Sequence, residues 1–327
     1  VPDRRQIALF AVRYGLFIAL ILWIIAMSLV SDRFFTWLNF LNVARQAAPV
    51  IIIAVGMTFV IATAGIDLSV GSLVALVSVL TAGLLALGWP VALVIPLALL
   101  VGLVAGAVNG FFVQLGLPAF VVTLAGLTYL RGLAFVYSDG YATPVTDEVL
   151  IWLGRGRIGE LHVPIILAAM VAVAGWFVLD KTRFGLHVLA VGGREDAARV
   201  MGIKTRRIKV IVYAITGALA ALGAIVITAR LANGSPNAGI MLELDVIAAT
   251  VLGGTSLFGG AATIAGTVAG ALFLNFVRNG LNLMGVNPFW VQVATGLILL
   301  LAVLVNVLAN RRVEEWARLS GKDDDAD

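Results

Sequence analysis

Residues 64–71 read Ala-Gly-Ile-Asp-Leu-Ser-Val-Gly, a carboxylate and two glycines set in the middle of uninterrupted hydrocarbon. Ala47 to Ala64 carries no charge, and neither does Val70 to Leu115. A carboxylate deep in a bilayer costs about 2.5 to 3.5 kcal/mol on insertion scales, so it faces a cavity or a partner. Paired glycines with a serine are the composition of a helix that breaks and turns its freed backbone groups elsewhere. Two readings fit the run. Gly65, Asp67, Ser69 and Gly71 line a pathway, or they form a polar connector between helices near the membrane surface.

The surrounding composition decides the class of the chain. Of 327 residues, 61% are hydrophobic and 12% are charged, against about 25% charged in soluble domains. Cysteine is absent and the two histidines, His162 and His187, lie far apart, so disulfides, thiolate metal sites and a zinc site are not expected. No cofactor is implied. Pro2 to Arg5 is basic, but the apolar run behind it is too long for a signal peptide and lacks a small-residue cleavage site. The first span is therefore expected to stay as an anchor.

Hydropathy predicts an all-α polytopic membrane protein with about ten spans, near residues 14–30, 47–64, 71–88, 91–115, 118–137, 164–180, 210–229, 244–259, 261–278 and 289–309. The eighth is short and glycine-rich, the signature of a half-helix or re-entrant segment. One transmembrane domain (1–327) is expected, with its membrane region at 14–310, a loop at 181–209 and a polar tail at 311–327. Placing both termini in the cytoplasm puts fifteen basic residues inside and six (Arg33, Arg45, Arg155, Arg157, Arg230 and Arg278) outside or near the outer face, with Arg131 within a span. Phe34, Phe35, Trp37, Trp89 and Trp152 then fall at the outer interface, where an aromatic belt is expected. Arg131 is expected to snorkel outward or to meet Asp139, with gating as the alternative.

An internal repeat is visible. Gly102-x3-Gly106 followed by Gln114-Leu115-Gly116-Leu117 is similar to Gly266-x3-Gly270 followed by Arg278-Asn279-Gly280-Leu281. Pro118-Ala119-Phe120 through Gly126 is similar to Pro288-Phe289-Trp290 through Gly296. An offset of five spans inverts the second copy in the membrane, as in many transporters, and puts the pathway at the repeat interface.

The loop at 192–203, Gly-Gly-Arg-Glu-Asp-Ala-Ala-Arg-Val-Met-Gly-Ile, is the second informative stretch. Arg194 to Met201 has helix-forming composition, with Glu195 and Asp196 where the helix dipole favours them and Gly202 where a helix stops. It reads as a short coupling helix offering Ala197 and Ala198 to a partner, or as an ordinary basic loop.

Glu195-x-Ala-Ala-x3-Gly202 resembles the core of the EAA motif, through which permeases of ATP-binding-cassette importers contact their ATPases. The downstream Ile-x-Leu-Pro is missing, a departure shared by the ribose/xylose-type sugar permeases of the branched-chain amino acid/sugar permease superfamily. The chain resembles that family at 55–58 (Val-Gly-Met-Thr), 65–71, 128–134 (Thr-Tyr-Leu-Arg-Gly-Leu-Ala), 237–245, 251–257 (Val-Leu-Gly-Gly-Thr-Ser-Leu) and 279–286. The resemblance implies a vitamin-B12-importer-like (type II) permease of the bacterial inner membrane that works as a homodimer. A periplasmic binding protein would dock outside, and an ATPase, often with two fused nucleotide domains, inside. No Gly-x4-Gly-Lys-[Ser/Thr] occurs, so phosphate-binding must come from that partner, and no nucleophile–base pair suggests an enzyme.

Candidates for lining a sugar path are Asp67, Ser69, Asn109, Thr255, Ser256, Asn275 and Asn282; for Asn109 and Asn275 a helix–helix hydrogen bond is an equal reading. Glu243 and Asp245 are expected at the outer face, as a binding-protein contact or as a solvated cap. Two rival functions remain. One is a permease of the same superfamily for a branched-chain amino acid, nucleoside or furanone signal. The other is an ion-coupled carrier using Asp67.

Overall fold

The computed structural model describes residues 4–298, with 300, 301 and 304. In chain order the helices are α1 (Arg4–Val30), α2 (Trp37–Ala62), α3 (Val70–Ala86), α4 (Val91–Gln114), α5 (Ala119–Ser138), α6 (Glu148–Arg155), α7 (Val163–Lys181), α8 (Arg183–Gly193), α9 (Glu195–Val200), α10 (Thr205–Leu231), α11 (Leu242–Leu252) and α12 (Ile264–Leu283). A last described helix, α13, spans Pro288–Ile298. Four two-residue strands tie the connectors together. β1 (Thr143–Pro144) pairs antiparallel with β4 (Asn233–Gly234), and β2 (Arg157–Ile158) with β3 (Leu161–His162).

Among the described residues, six helices are long and apolar enough to cross a membrane: α2, α4, α5, α7, α10 and α12. Two of the other four expected spans are shorter. α3 has 17 residues and α11 has 11, whereas α1 runs for 27 residues and the span expected at 289–309 runs beyond the described residues. The helix expected to continue to residue 259 stops at Leu252, because Gly253 presses on the backbone of Gly266 and Thr267 and the chain then turns through Gly254, Gly259 and Gly260. The polar tail at 311–327 also lies outside the described residues.

The bundle is layered around α2. Of its most apolar 18-residue window 83% is buried, against 22% for α4 and for α5, which present hydrocarbon outward. α10 is its main partner, and α7, α11 and α12 close the other sides. Thr58 of α2 and Thr267 of α12 share a hydrogen bond of 2.8 Å, and each hydroxyl also donates back along its own helix when free to do so. Phe34, expected at the interface, is instead fully buried and stacks near Phe276, since the α1–α2 turn folds onto α12. Phe35, Trp37, Trp89 and Trp152 are exposed.

The first glycine stripe explains the closest helix pair. Gly102, Gly106 and Gly110 of α4 meet Ala221, Gly217, Tyr213 and Val210 of α10 at backbone contact. A Cβ on Gly106 would overlap the Tyr213 carbonyl, which cannot rotate away as a side chain would. Gly106→Val is expected to destabilise the protein by about 3 kcal/mol, the upper end of ordinary overpacking. Thermal unfolding in mild detergent measures it, and an unchanged midpoint would show that the two helices can separate freely.

Candidate functional site

The break between α2 and α3 is built by side chains from four elements. α2 ends in a turn in which Gly65 N–H reaches back to the Val60 carbonyl (3.1 Å) and Ala64 takes a left-handed φ of 60°. The freed Ile66 carbonyl then accepts from the Tyr213 hydroxyl of α10 (3.1 Å) and from Thr123 of α5 (3.3 Å). Asp67 Oδ1 accepts from both the Ser69 amide (2.9 Å) and the Ser69 hydroxyl (2.6 Å), a local turn that starts α3. The Asn109 amide of α4 donates to the same hydroxyl (2.8 Å), and Gly126 of α5 leaves room for both side chains.

Asp67 is 1% exposed and Ser69 and Asn109 are equally enclosed. The structure thus brings Asp67, Ser69, Asn109 and Gly65 together as a buried connector, with the carboxylate committed to its own turn. Thr255 and Ser256 lie elsewhere, in the unwound segment after α11. Thr255 is buried with an unpartnered hydroxyl, and Ser256 accepts from the Phe258 amide (3.3 Å). Asn275 donates back to Ala271 of its own helix (2.8 Å), and Asn282 is exposed near the end of α12.

Three charged residues are placed differently from expectation. Arg131 neither snorkels nor meets Asp139. Its guanidinium donates to the carbonyls of Pro236 (2.7 Å) and Ala238 (2.8 Å), which the irregular segment 235–241 leaves without helical partners. Glu243 is 9% exposed and packs against Gly71 rather than at an outer surface. Asp245 is bound by both terminal nitrogens of Arg278, one at 2.7 Å. Sequence reasoning placed Arg278 outside or near the outer face, and a pairing across two helices left no linear signal.

At the other end, α9 occupies Glu195–Val200, one turn of helix between Arg194 and Met201, and Gly202 closes it at φ 83°. Its orientation takes one of the expected docking residues, Ala198, out of a partner's reach. Ala198 is fully buried and Ala197 half-buried, while Asp196, Arg199, Val200 (89% exposed) and Met201 (69%) face outward. Lys209 of α10 fixes this rotation by gripping Glu195 at 2.6 Å, and Arg199 adds a looser contact at 3.4 Å. Two apolar side chains in an otherwise charged loop were the available sequence signal for Val200 and Met201.

Comparison with known proteins decides the family. The family described as branched-chain amino acid transport system/permease component matches residues 39–305. The chain belongs to it. The ribose import permease protein RbsC of Haemophilus influenzae is 41% identical over 316 residues, covering 94% of this chain and 97% of that one. RbsC of Bacillus subtilis is 44% identical, covering 90% and 92%. The xylose transport system permease protein XylH of Escherichia coli K12 is 34% identical, covering 85% and 89%. No solved structure matches the permease. The resemblance read from the motifs at 55–71, 128–134 and 237–286 is therefore borne out.

Two measurements follow for the permease. Asp67→Ala leaves the Ser69 amide and hydroxyl without their acceptor, at an expected loss of about 1–3 kcal/mol, whereas Asp67→Asn retains the acceptor oxygen and loses less. Thermal unfolding of the two variants in mild detergent gives that order, or refutes the turn as a structural element. For α9, burial pushes the Glu195 carboxyl up, but the hydrogen bond and charge of Lys209, with Thr205 and Arg199, outweigh it and hold it below its ordinary 4.5. A depressed folded value means this stabilisation is complete above the ordinary value and disappears as pH falls through the lowered one. Hydrogen exchange of residues 198–203, corrected for intrinsic rate, should stay constant from neutral pH to about 4.5 and rise below it.

Proposed function

We propose that this permease is the membrane-spanning subunit of an ATP-binding-cassette importer for a monosaccharide, with a pentose as the first candidate. Near full-length similarity to ribose import permeases carries the reading. The exposed Val200–Met201 pair beside the ion-paired Glu195 supports it from the structure, since it gives an ATPase a small apolar foothold outside the membrane. The permease is a transport subunit and not an enzyme, and ATP hydrolysis belongs to the partner.

In this reading the chain is a single domain of ten spans in two inverted halves, packed as a type II permease and paired with a second copy in the inner membrane. The unwound segments at 63–69 and 235–241, which follow the central helices α2 and α10, support the inverted relation. The excess of Lys and Arg at 181–209 supports a cytoplasmic position for that loop and both termini, with the segment 139–162 and the binding-protein face outside. Asp67 turns inward to Ser69, which argues against the ion-coupled carrier.

The test is co-purification from native membranes in mild detergent. Val200→Asp with Met201→Asp, exposed positions whose replacement leaves the fold within about 0.5 kcal/mol, is expected to lose a P-loop ATPase that accompanies the unaltered permease. Solute uptake by the permease alone in ATP-free liposomes would sink the importer reading.

A further inference from the structure

α11 begins inside the bundle rather than at its edge. Gly234 lies against Ser78 and Ala82, and Gly239 already touches Gly71 and Val74, so the segment 235–241 runs down α3 before the helix starts. A half-helix beginning within the membrane presents its first turn to whatever lies there. Here that is a cavity of about 290 Å³ between α11, α12 and α13. Asp245 and Arg278 line it with Gln292 and Thr295, and Met241 and Val291 supply apolar wall. Gln292 and Thr295 stand four and seven residues into α13, roughly 6 and 10 Å from its start at about 1.5 Å per residue.

The lining sets this hollow apart from two others on the same bundle. The hollow beside α4 and α5 is lined by Leu100, Val104 and Val108, and the one along α7 by Ile165, Val173 and Phe177, as contact with lipid tails requires. Asp245 and Arg278 keep 16% and 30% of their side chains exposed, and Gln292 is exposed. Charges inside a membrane bundle pair with one another or face a polar cavity, and these two do both, since each meets the other and lines the hollow.

The donor set narrows the guest. Asp245 and Arg278 cancel one another, so the hollow offers no net charge to an ion, and no separate counter-charges for the ammonium and carboxylate of an amino acid. The Asp245 carboxylate has lone pairs beyond the two that Arg278 uses, and the Gln292 amide adds two donors and an acceptor. Adjacent acceptors and donors of this kind suit vicinal hydroxyls. The volume sits at the low end of the ~300–1,000 Å³ range of small-molecule pockets, a size for one sugar ring.

We infer that the α11–α12–α13 cavity is a weak monosaccharide site on the transport route, in which Asp245, Arg278 and Gln292 bind the hydroxyls of a neutral sugar. This rests on the sugar-import reading and names its site. The Arg278–Asp245 pair is already closed without sugar, so the guest adds hydrogen bonds to it and does not replace it. Weak binding follows, which lets the sugar leave.

Saturation-transfer NMR with D-ribose, on the permease in nanodiscs, tests the site. ATP-driven D-ribose and D-xylose uptake by the full complex is measured in parallel. The expected result is a D-ribose signal displaced by D-xylose and not by L-leucine, reduced at least fivefold in Gln292→Ala and in Asp245→Asn paired with Arg278→Gln. Gln292 is exposed, so its variant keeps the fold if the paired variant does not. A signal unchanged in Gln292→Ala, or no signal from a permease whose complex transports D-ribose, overturns the site and leaves the importer standing. A complex that moves neither sugar removes both.

Discussion

Every backbone group that leaves a helix inside this bundle has to find its partner within the protein, because lipid offers none. The rest of the architecture is arranged around that demand at its interruptions. At 63–69 the partners are Tyr213, Thr123 and the Asp67 turn. At 235–241 they include Arg131, whose charge is used to hold two carbonyls. At 253–263 the Gly260 amide is taken by the Ala62 carbonyl at the end of α2 (3.0 Å). Asp67 and Ser69, which look like transport chemistry in the sequence, hold the turn between two helices here.

That explains which parts of the protein were legible beforehand. Helix positions followed from long charge-free runs, because a span needs little more than length and hydropathy. The break at Asp67 and the truncated eighth helix followed from glycine and a lone charge. The direction of side chains did not. Asp67, Ser69 and Asn109 are polar residues in apolar helices, which fits a wet path and a buried hydrogen-bond cluster equally well until packing is known. Ala197 and Ala198 were expected to face a partner if the loop held a coupling helix, but beside the Glu195–Lys209 pair Ala198 lies in the core and Val200 and Met201 face out. The Asp245–Arg278 pair joins residues 33 positions apart, so neither could be assigned a partner from the linear chain.

The two polar groupings differ in what surrounds them. Around Asp67 the neighbours are close enough that even a glycine is needed beside Ser69. Around Asp245 there is open volume. Both are networks of satisfied groups, but one is a joint and the other leaves room for a guest. Reading function from polarity alone would rank them in the opposite order, since the joint carries the more conspicuous sequence.

At one point the loop that carries α9 meets the bundle through backbone alone. Gly192, at the end of α8, touches the Ala62 carbonyl and the Gly260 amide with no side chain in between. Side chains at most helix contacts act as springs that rotate before a backbone moves. At Gly192 there is none, so α8 bears directly on the tip of α2 and on the segment after α11. The three strands of chain behave there as a hard mechanical linkage.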